Sequence, residues 1–293
     1  MSSRLLVLAA FAACAGAGAK NAPATKAKVD ALAYDPADAE LVYSANLDAL
    51  RTSSLWHRLA NRVTAHGHPK LDQVARSCGI DSTTPFHAVR GAVARLSGFP
   101  TGAVFVVVGP ERGQIEACLN RVGGRKPLPS GDGIWSLASG FGVAFLDPST
   151  FVLASTQQVA DSRAPLRSSS DFMEMFDTVD YTAAAWVILD GRFHGFDALR
   201  QKDIDITWAA LSLTPGTDRV AFRLQLRFAK PEQAAVFLGD PRIKSRSATV
   251  EILQNGADVL IDGTLSDELF MVMLVRLAHV VAADMFPAKG KSE

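Results

Sequence analysis

The clearest hydrophobic pattern in the chain is a strict alternation in the stretch FRLQLRF. There Phe222, Leu224, Leu226 and Phe228 are separated by arginine and glutamine. Because successive side chains of a strand point to opposite faces, this pattern predicts a strand with one buried face and one face in water. Such one-sided strands are typical of antiparallel sheets, whereas the strands of a doubly wound parallel sheet are apolar on both faces.

A strand followed by a helix that starts at proline occurs twice. Thr101–Leu119 and Thr217–Leu238 each contain an apolar or alternating run that stops at a proline, Pro110 or Pro231, and a glutamate follows. Proline suits the first helical position because its missing N–H would be unpaired there, and a glutamate interacts favourably with the helix dipole. The repetition predicts an internal repeat with this unit at the centre of each half.

We therefore predict an α+β fold of two related halves, each a mostly antiparallel sheet packed with helices, with a long apolar helix at the end. Residues 1–19 are predicted to be a signal peptide, 20–36 a flexible tether, 37–167 the first half and 168–287 the second half. A hairpin is predicted around Asn255-Gly256, a frequent two-residue turn. The predicted strands are Glu40–Leu47, Ala88–Leu96, Ala103–Val108, Ile134–Ala138, Phe141–Leu146, Phe151–Ala154, Ala183–Leu189, Ile206–Leu213, Val220–Phe228, Ala248–Leu253 and Val259–Ile261.

The last predicted element, Leu265–Phe286, is the most hydrophobic helix. Its polar residues Glu268, Arg276, His279 and Asp284 fall mostly on a narrow stripe, which leaves a broad apolar surface. A membrane-spanning segment is disfavoured because Arg276 and His279 would be costly in hydrocarbon. We predict that this helix packs on the sheet. The alternative is that it contacts a membrane surface or a protein or lipid-like partner.

The N-terminus has the three parts of a secretory signal: Arg4, an apolar run over Leu5–Ala13, and small residues after it. Two processing routes are open. Phe11–Cys14 resembles a bacterial lipoprotein box, which would lipidate Cys14 and tether the chain to a membrane. A small-x-small site at Ala17–Ala19 would instead allow cleavage before Lys20. Either route predicts export, to the periplasm or to an outer-membrane anchor.

Composition narrows the classes of partner. The chain has 293 residues, and its Lys+Arg and Asp+Glu counts are 30 and 30. With balanced charge there is no long-range field to attract nucleic acid or anionic lipid, so we expect no nucleic-acid partner.

The cysteines predict a disulfide. Of the three cysteines in the chain, Cys14 is either lipidated or removed, which leaves Cys78 and Cys118. An even pair in an exported chain favours a disulfide, and closing this loop would stabilise the fold by about 4 kcal/mol in the entropic model. The alternative is two separate buried thiols.

The histidines predict no metal site. His66 and His68, with His57 upstream, form the one cluster, but no third ligand has suitable spacing. His194 and His279 stand alone on apolar backgrounds and are interpreted as core or surface residues.

Charged residues offer weak candidates for a site. Paired carboxylates could serve glycoside or metal chemistry, and clustered basic residues could bind an anion, but exposed strand edges, turns and a solvated sheet face explain them more simply. These residues are Asp203 and Asp205, Asp258 and Asp262, and Arg223, Arg227, Arg242, Lys244 and Arg246.

Motifs that would identify an enzyme are missing from the sequence. There is no G-x-S-x-G, no G-x-x-x-x-G-K-[ST], no G-x-G-x-x-G after a strand, no H-E-x-x-H and no EF-hand loop. We predict no catalytic residue, no metal and no cofactor. Because a triad assembled from distant residues leaves no local motif, an exported hydrolase is the alternative.

Four short segments resemble a known group of proteins. Tyr34–Glu40 before a strand, Asp48–Arg51, Ser54–Trp56 and Cys78–Asp81 are similar to the opening of uncharacterised exported bacterial proteins and lipoproteins. The resemblance covers the first third of the chain. It implies export and sheet-and-helix repeats, and it implies no activity or site. The sequence thus favours a non-enzymatic cell-envelope protein that binds a partner or an apolar ligand.

Overall fold

A single antiparallel sheet organises the chain. The computed structural model describes residues 39–57, 78, 86–93, 103–121, 123–126, 133–137, 141–155, 170–180, 182–240 and 250–270. The strands are β1 (Leu41–Asn46), β2 (Ala88–Val93), β3 (Ala103–Val108), β4 (Trp135–Ser136), β5 (Phe141–Asp147), β6 (Thr150–Ser155), β7 (Ala185–Asp190), β8 (Ile206–Pro215), β9 (Arg219–Phe228), β10 (Val250–Asn255) and β11 (Asp258–Ser266). They form one 11-stranded sheet in the order β10-β11-β9-β8-β7-β1-β2-β3-β6-β5-β4.

The helices of the described residues are short. Those with named bounds are α1 (Leu47–Arg51), α2 (Arg112–Arg121), α3 (Ser170–Thr178), α4 (Asp197–Arg200) and α5 (Pro231–Gly239), with a 3-10 turn at His194–Phe196, and helical residues also lie at 54–57, 78 and 267–270. The longest of them, α2, has 10 residues. As predicted, α5 begins at Pro231 with Glu232 in its first turn. By contrast, α2 begins two residues after Pro110, where the N–H of Arg112 donates to the carbonyl of Pro148 at 2.7 Å.

The prediction of two separately packed halves is wrong. Strand β1 pairs with β2 on one side and with β7 on the other, with Leu41 opposite Leu189 and Ala45 opposite Ala185. The two halves therefore share one sheet that is continuous across β1 and β7. The cause is that an interior strand has two hydrogen-bonding edges to satisfy, and the hydrophobic pattern of a strand does not specify which strands fill them.

The prediction of a terminal helix that starts at Leu265 is also wrong. Leu265 and Ser266 belong to β11, where Leu265 lies opposite Val220 of β9. A helix begins only at Asp267, and residues 271–286 lie outside the described residues. Leu265 is apolar because it packs with Leu55, Val220 and Phe270 in a small cluster, a role that fits a strand end as well as a helix.

Both faces of the sheet carry apolar cores. On one face, Ile115 and Leu119 of α2 pack on the β3, β5 and β6 side chains, and Ala234 of α5 packs on β9 and β11. On the opposite face, α3 covers the centre of the sheet with Phe172 and Phe176. The predicted alternation in β9 is confirmed, because Leu226 and Phe228 are buried while Arg223 on the other face is exposed.

The predicted hairpin joins β10 and β11. Its turn residues are Gly256 and Ala257, one position later than the sequence suggested. Gly256 has a φ of +60°, whereas Ala257 is not among the residues with positive φ. A glycine with positive φ in the first turn position is typical of the type II′ turn, which matches the twist of the paired strands. The similar strand orders β1-β2-β3-β6-β5 and β7-β8-β9-β11-β10 flank the sheet centre, and the internal repeat of the sequence stays a prediction.

Candidate functional site

The most organised polar cluster lies where β1 turns into α1. Asn46 ends β1 and caps α1, its side-chain oxygen accepting the N–H of Ala49 at 3.1 Å. This cap places Asp48 in the first turn of α1 and Arg51 in its last turn, one helical turn apart on the same side. The short sequence NLDALR thus fixes a carboxylate and a guanidinium beside each other.

Asp48 contacts the side chains of an arginine and a histidine. Its Oδ1 accepts a hydrogen bond from Nη1 of Arg51 at 2.8 Å, and its Oδ2 lies 2.9 Å from Nδ1 of His87. The Arg51 side chain is only 6% exposed. Its Nη2 also donates to the carbonyl of Phe86 at 2.6 Å, so the guanidinium connects α1 to the residue before His87.

The backbone holds His87 in place. Its N–H donates to the carbonyl of Val108 at 2.7 Å, and its own carbonyl accepts the N–H of Leu47 at 2.8 Å. The imidazole remains 28% exposed. A carboxylate that orients a partly exposed imidazole can support general base chemistry, and it can equally be a structural tie between α1 and the start of β2.

Sequence reasoning missed His87. Asp48 and Arg51 entered it only as part of a resembling segment, and His87 lies 39 residues from Asp48. Nothing in the local pattern around His87 indicates a carboxylate partner. Only the antiparallel pairing of β1 with β2 brings the two side chains together.

We expect Asp48→Asn to lower the free energy of unfolding by about 2 kcal/mol, because it removes the negative charge that faces the buried Arg51 guanidinium. Asp197→Asn is the matched control, since Asp197 also pairs with an arginine three residues later, Arg200, but is exposed. This control should cost less than about 0.5 kcal/mol. Denaturant titration of both variants measures the difference, and equal losses would contradict a structural role for the buried pair.

A second polar cluster covers the solvated face of β9 and β11. Arg223 makes a two-point contact with Asp262, at 2.8 and 3.1 Å, and Arg227 makes the same contact with Asp258, at 2.7 and 3.1 Å. Each pair lies directly across the two strands. This is the arrangement in which opposite charges stabilise an antiparallel pair.

Arg227 has further partners. Its Nη1 donates to Glu174 of α3 at 2.5 Å, and its guanidinium lies 5.0 Å from the ring centre of Trp208. The hydrogen bonds that Arg227 donates to Asp258 and Glu174 raise the pKa of Arg227 above its ordinary value. The hydrogen bond to Asp262 likewise raises the pKa of Arg223. Nearby, the Thr182 hydroxyl and N–H donate to Asp180 and lower the pKa of that carboxyl.

These contacts argue against the anion site considered from the sequence. The charges of Arg223 and Arg227 are matched by carboxylates across the strand, and the paired carboxylates Asp258 and Asp262 are engaged in the same contacts. The other basic residues of that group, at 242, 244 and 246, lie outside the described residues. The cluster is best explained as a set of cross-strand ion pairs that also fastens α3 to the sheet.

Replacing Arg227 with alanine should cost about 1–2 kcal/mol of stability, because it removes contacts to two carboxylates and one aromatic ring. Arg223→Ala is the matched control on the same strand face. It loses one carboxylate at a more exposed position, 51% against 30% for Arg227, and should cost about 0.5 kcal/mol or less. Thermal unfolding of the two variants tests whether Arg227→Ala loses more stability than Arg223→Ala. Equal losses would mean that the link from Arg227 to α3 contributes nothing to stability.

The remaining candidate residues are dispersed. Asp203 and Asp205 are exposed in the turn before β8, where Gln233 donates to the Asp203 carbonyl at 2.7 Å. His57 is exposed in the helical residues 54–57. Only the backbone of His194 is described, in the 3-10 turn. Positions 14, 66, 68 and 279, which carry Cys14, His66, His68 and His279, lie outside the described residues.

Cys78 and Cys118 are joined by a disulfide in the structure, across a sequence separation of 40 residues. Cys118 lies in α2, and Cys78 is buried. The bond therefore attaches α2, which packs on the first half of the sheet, to the segment that precedes β2.

A metal cluster or a membrane-spanning helix would define the class of site in the described residues. No group of three or more His, Cys, Asp or Glu side chains in that part of the chain could hold a metal ion. Within the same residues, no helix combines the length and the apolar character needed to cross a membrane.

Comparisons with known proteins identify the fold. The chain is similar to the crystal structures of TP0453. Form IV gives a TM-score of 0.57 at 16% identity, over 85% of this chain and 98% of that one. Form III gives a TM-score of 0.55 at 16% identity, over 85% of this chain and 99% of that one. Form I gives a TM-score of 0.52 at 17% identity, over 86% of this chain and 99% of that one. No protein-family model matches the chain, and no curated protein does. At this identity the likeness concerns the fold alone.

Proposed function

We propose that the chain is an exported protein of the cell envelope that binds a partner or an apolar ligand and has no catalytic role. The observation that carries the proposal is the disulfide between Cys78 and Cys118. Disulfides form and persist in oxidising compartments such as the bacterial periplasm, and they are rare in the cytosol. The bond agrees with the secretory pattern of residues 1–19, which is an independent feature of the sequence.

Support for a binding role comes from the end of the described chain. In the helical turn that begins at Asp267, Phe270 is buried with Leu55 and Val220, whereas Leu269 remains 43% exposed. The Ser54 hydroxyl donates to the Asp267 carboxylate and holds this turn against the first half. The proposal includes a partner or lipid-like ligand that binds residues 265–286. Leu269 is the exposed leucine near the start of that segment.

The intact mass of the mature protein from its host, measured with and without reduction, tests the proposal. A diacyl or triacyl mass on Cys14 would show a membrane-tethered lipoprotein, and a start near Lys20 would show a free exported protein. A gain of about two hydrogens on reduction is expected for the disulfide. Cys14→Ser is the control that abolishes lipidation without changing the folded region. An uncleaved N-terminus in the cytosolic fraction would overturn the proposal.

An exported hydrolase is the second candidate, and the Asp48–His87 pair is the observation that favours it. An imidazole oriented by a carboxylate is the base of a catalytic triad, which also needs a nucleophile within reach. Labelling with a fluorophosphonate probe distinguishes the two candidates. Labelling that disappears in His87→Gln, at unchanged melting temperature, would establish the hydrolase. No labelling of the folded wild-type chain is the result expected for a binding protein.

A further inference from the structure

The two edges of the sheet differ in how they are protected. At one edge, β4 has two residues, and Ser136 exchanges backbone hydrogen bonds with Arg125 at 2.8 and 3.1 Å. At the other edge, β10 is six residues long, and β11 is its only strand partner in the part of the chain that the structure describes. A long edge strand exposes a row of backbone donors and acceptors that can pair with another strand.

Hairpin geometry defines which groups of β10 point outwards. The two-residue turn makes Asn255 and Asp258 the closing hydrogen-bonded pair. Hydrogen-bonded and non-hydrogen-bonded pairs then alternate along the ladder, so Leu253 and Glu251 bond inwards to β11. The N–H and C=O groups of Val250, Ile252 and Gln254 therefore point away from the sheet.

The side chains of β10 suit a second copy of the same strand. Leu253 is 55% exposed on the face that carries the ion pairs. Glu251 is the only charged residue of the strand. In an antiparallel pair centred on Leu253, the two Leu253 side chains would be neighbours. Glu251 would then lie opposite Asn255 of the second copy, so no like charges would meet.

This register also uses the outward backbone groups. Ile252 would lie opposite Gln254 of the second copy, and each such pair exchanges two hydrogen bonds. The Leu253 residues of the two copies would form a non-hydrogen-bonded pair, in which the Cα atoms of facing residues come within about 4.5 Å. The exposed leucines would thus be buried against each other where the strands are closest.

We propose that two copies of the chain pair edge to edge through β10, antiparallel and centred on Leu253, to form a continuous sheet across a two-fold axis. The pairing requires neither lipid on Cys14 nor export, so a chain that fails the localisation test can still form this dimer. If this edge instead pairs with an unrelated strand, the purified chain stays monomeric.

Light scattering during gel filtration tests the dimer with the purified chain carrying Cys14→Ser. The expected mass is twice that of the monomer. Leu253→Lys should weaken the dimer by at least about tenfold, because like charges would face each other at the axis. Val236→Lys is the control, since Val236 is even more exposed but lies on α5, and it should leave the dimer unchanged.

Single cysteines define the register. Under oxidising conditions Leu253→Cys should form a covalent dimer, because facing Cα atoms at about 4.5 Å are within the range of a disulfide. Ile252→Cys and Glu251→Cys should not, since neither residue faces itself in this register. Cross-linking at Ile252→Cys instead of Leu253→Cys would overturn the register. A monomeric wild-type chain, or a dimer that Leu253→Lys leaves intact, would overturn the proposal.

Discussion

Phe176→Ala is expected to lower the free energy of unfolding by about 4 kcal/mol, the range observed when a fully buried phenylalanine is truncated. Phe176 is 1% exposed on α3. Its ring lies 5.7 Å from that of Trp186 in an edge-on contact and 5.7 Å from that of Phe172 in a stacked one. The substitution leaves a cavity under the helix that covers the centre of the sheet, and it removes both aromatic contacts.

Asp177→Ala is the matched control, because Asp177 is the next residue of the same helix and is exposed. It should change stability by less than about 0.5 kcal/mol. Denaturant unfolding of the two variants gives the comparison. If Phe176→Ala cost no more than Asp177→Ala, α3 would not be packed on the sheet as described.

The double variant Cys78→Ala with Cys118→Ala should lose about 4 kcal/mol. Cross-linking residues that are 40 positions apart removes conformational freedom from the unfolded chain, and the entropic model gives this value for a loop of that length. For a chain of this size the loss corresponds to a fall in melting temperature of roughly 10 °C. Calorimetry of the oxidised wild type and the double variant measures it.

Reduction of the wild-type chain provides the control for the disulfide. The reduced protein should melt close to the double variant, since both lack the cross-link, whereas Cys14→Ser should melt like the wild type. A double variant as stable as the oxidised wild type would mean that the bond does not constrain the unfolded chain.

Local patterns determined most of the secondary structure. Alternation at 222–228 identified β9, Pro231 and Glu232 identified the start of α5, and Asn255-Gly256 identified the hairpin, although its turn lies one residue later. These features are encoded by neighbours within a few residues, through side-chain periodicity, fixed proline geometry and the freedom of glycine. The pairing of Cys78 with Cys118 was predicted from the number of cysteines and the exported context.

Pairing between distant strands could not be read from the same patterns. The contact of β1 with β7 joins residues more than a hundred positions apart and turns two expected sheets into one. Backbone hydrogen bonds, which every sequence can make, hold these two strands together. No single residue in the sequence therefore indicates the pairing. The apolar residues at the start of the expected last helix were compatible with a strand end, because both bury one side against a core.

The candidate site also combines features set by the local sequence with features set by long-range strand pairing. The sequence NLDALR by itself places Asp48 and Arg51 one turn apart on a capped helix. Only the tertiary structure brings His87 to the other carboxylate oxygen, through the ladder of β1 and β2, and only the sheet register sets Asp258 and Asp262 against two arginines. The sequence alone determined the local geometry and the predicted export. Long-range strand pairing decided which charges meet, because two side chains interact across strands only where the register places them opposite each other.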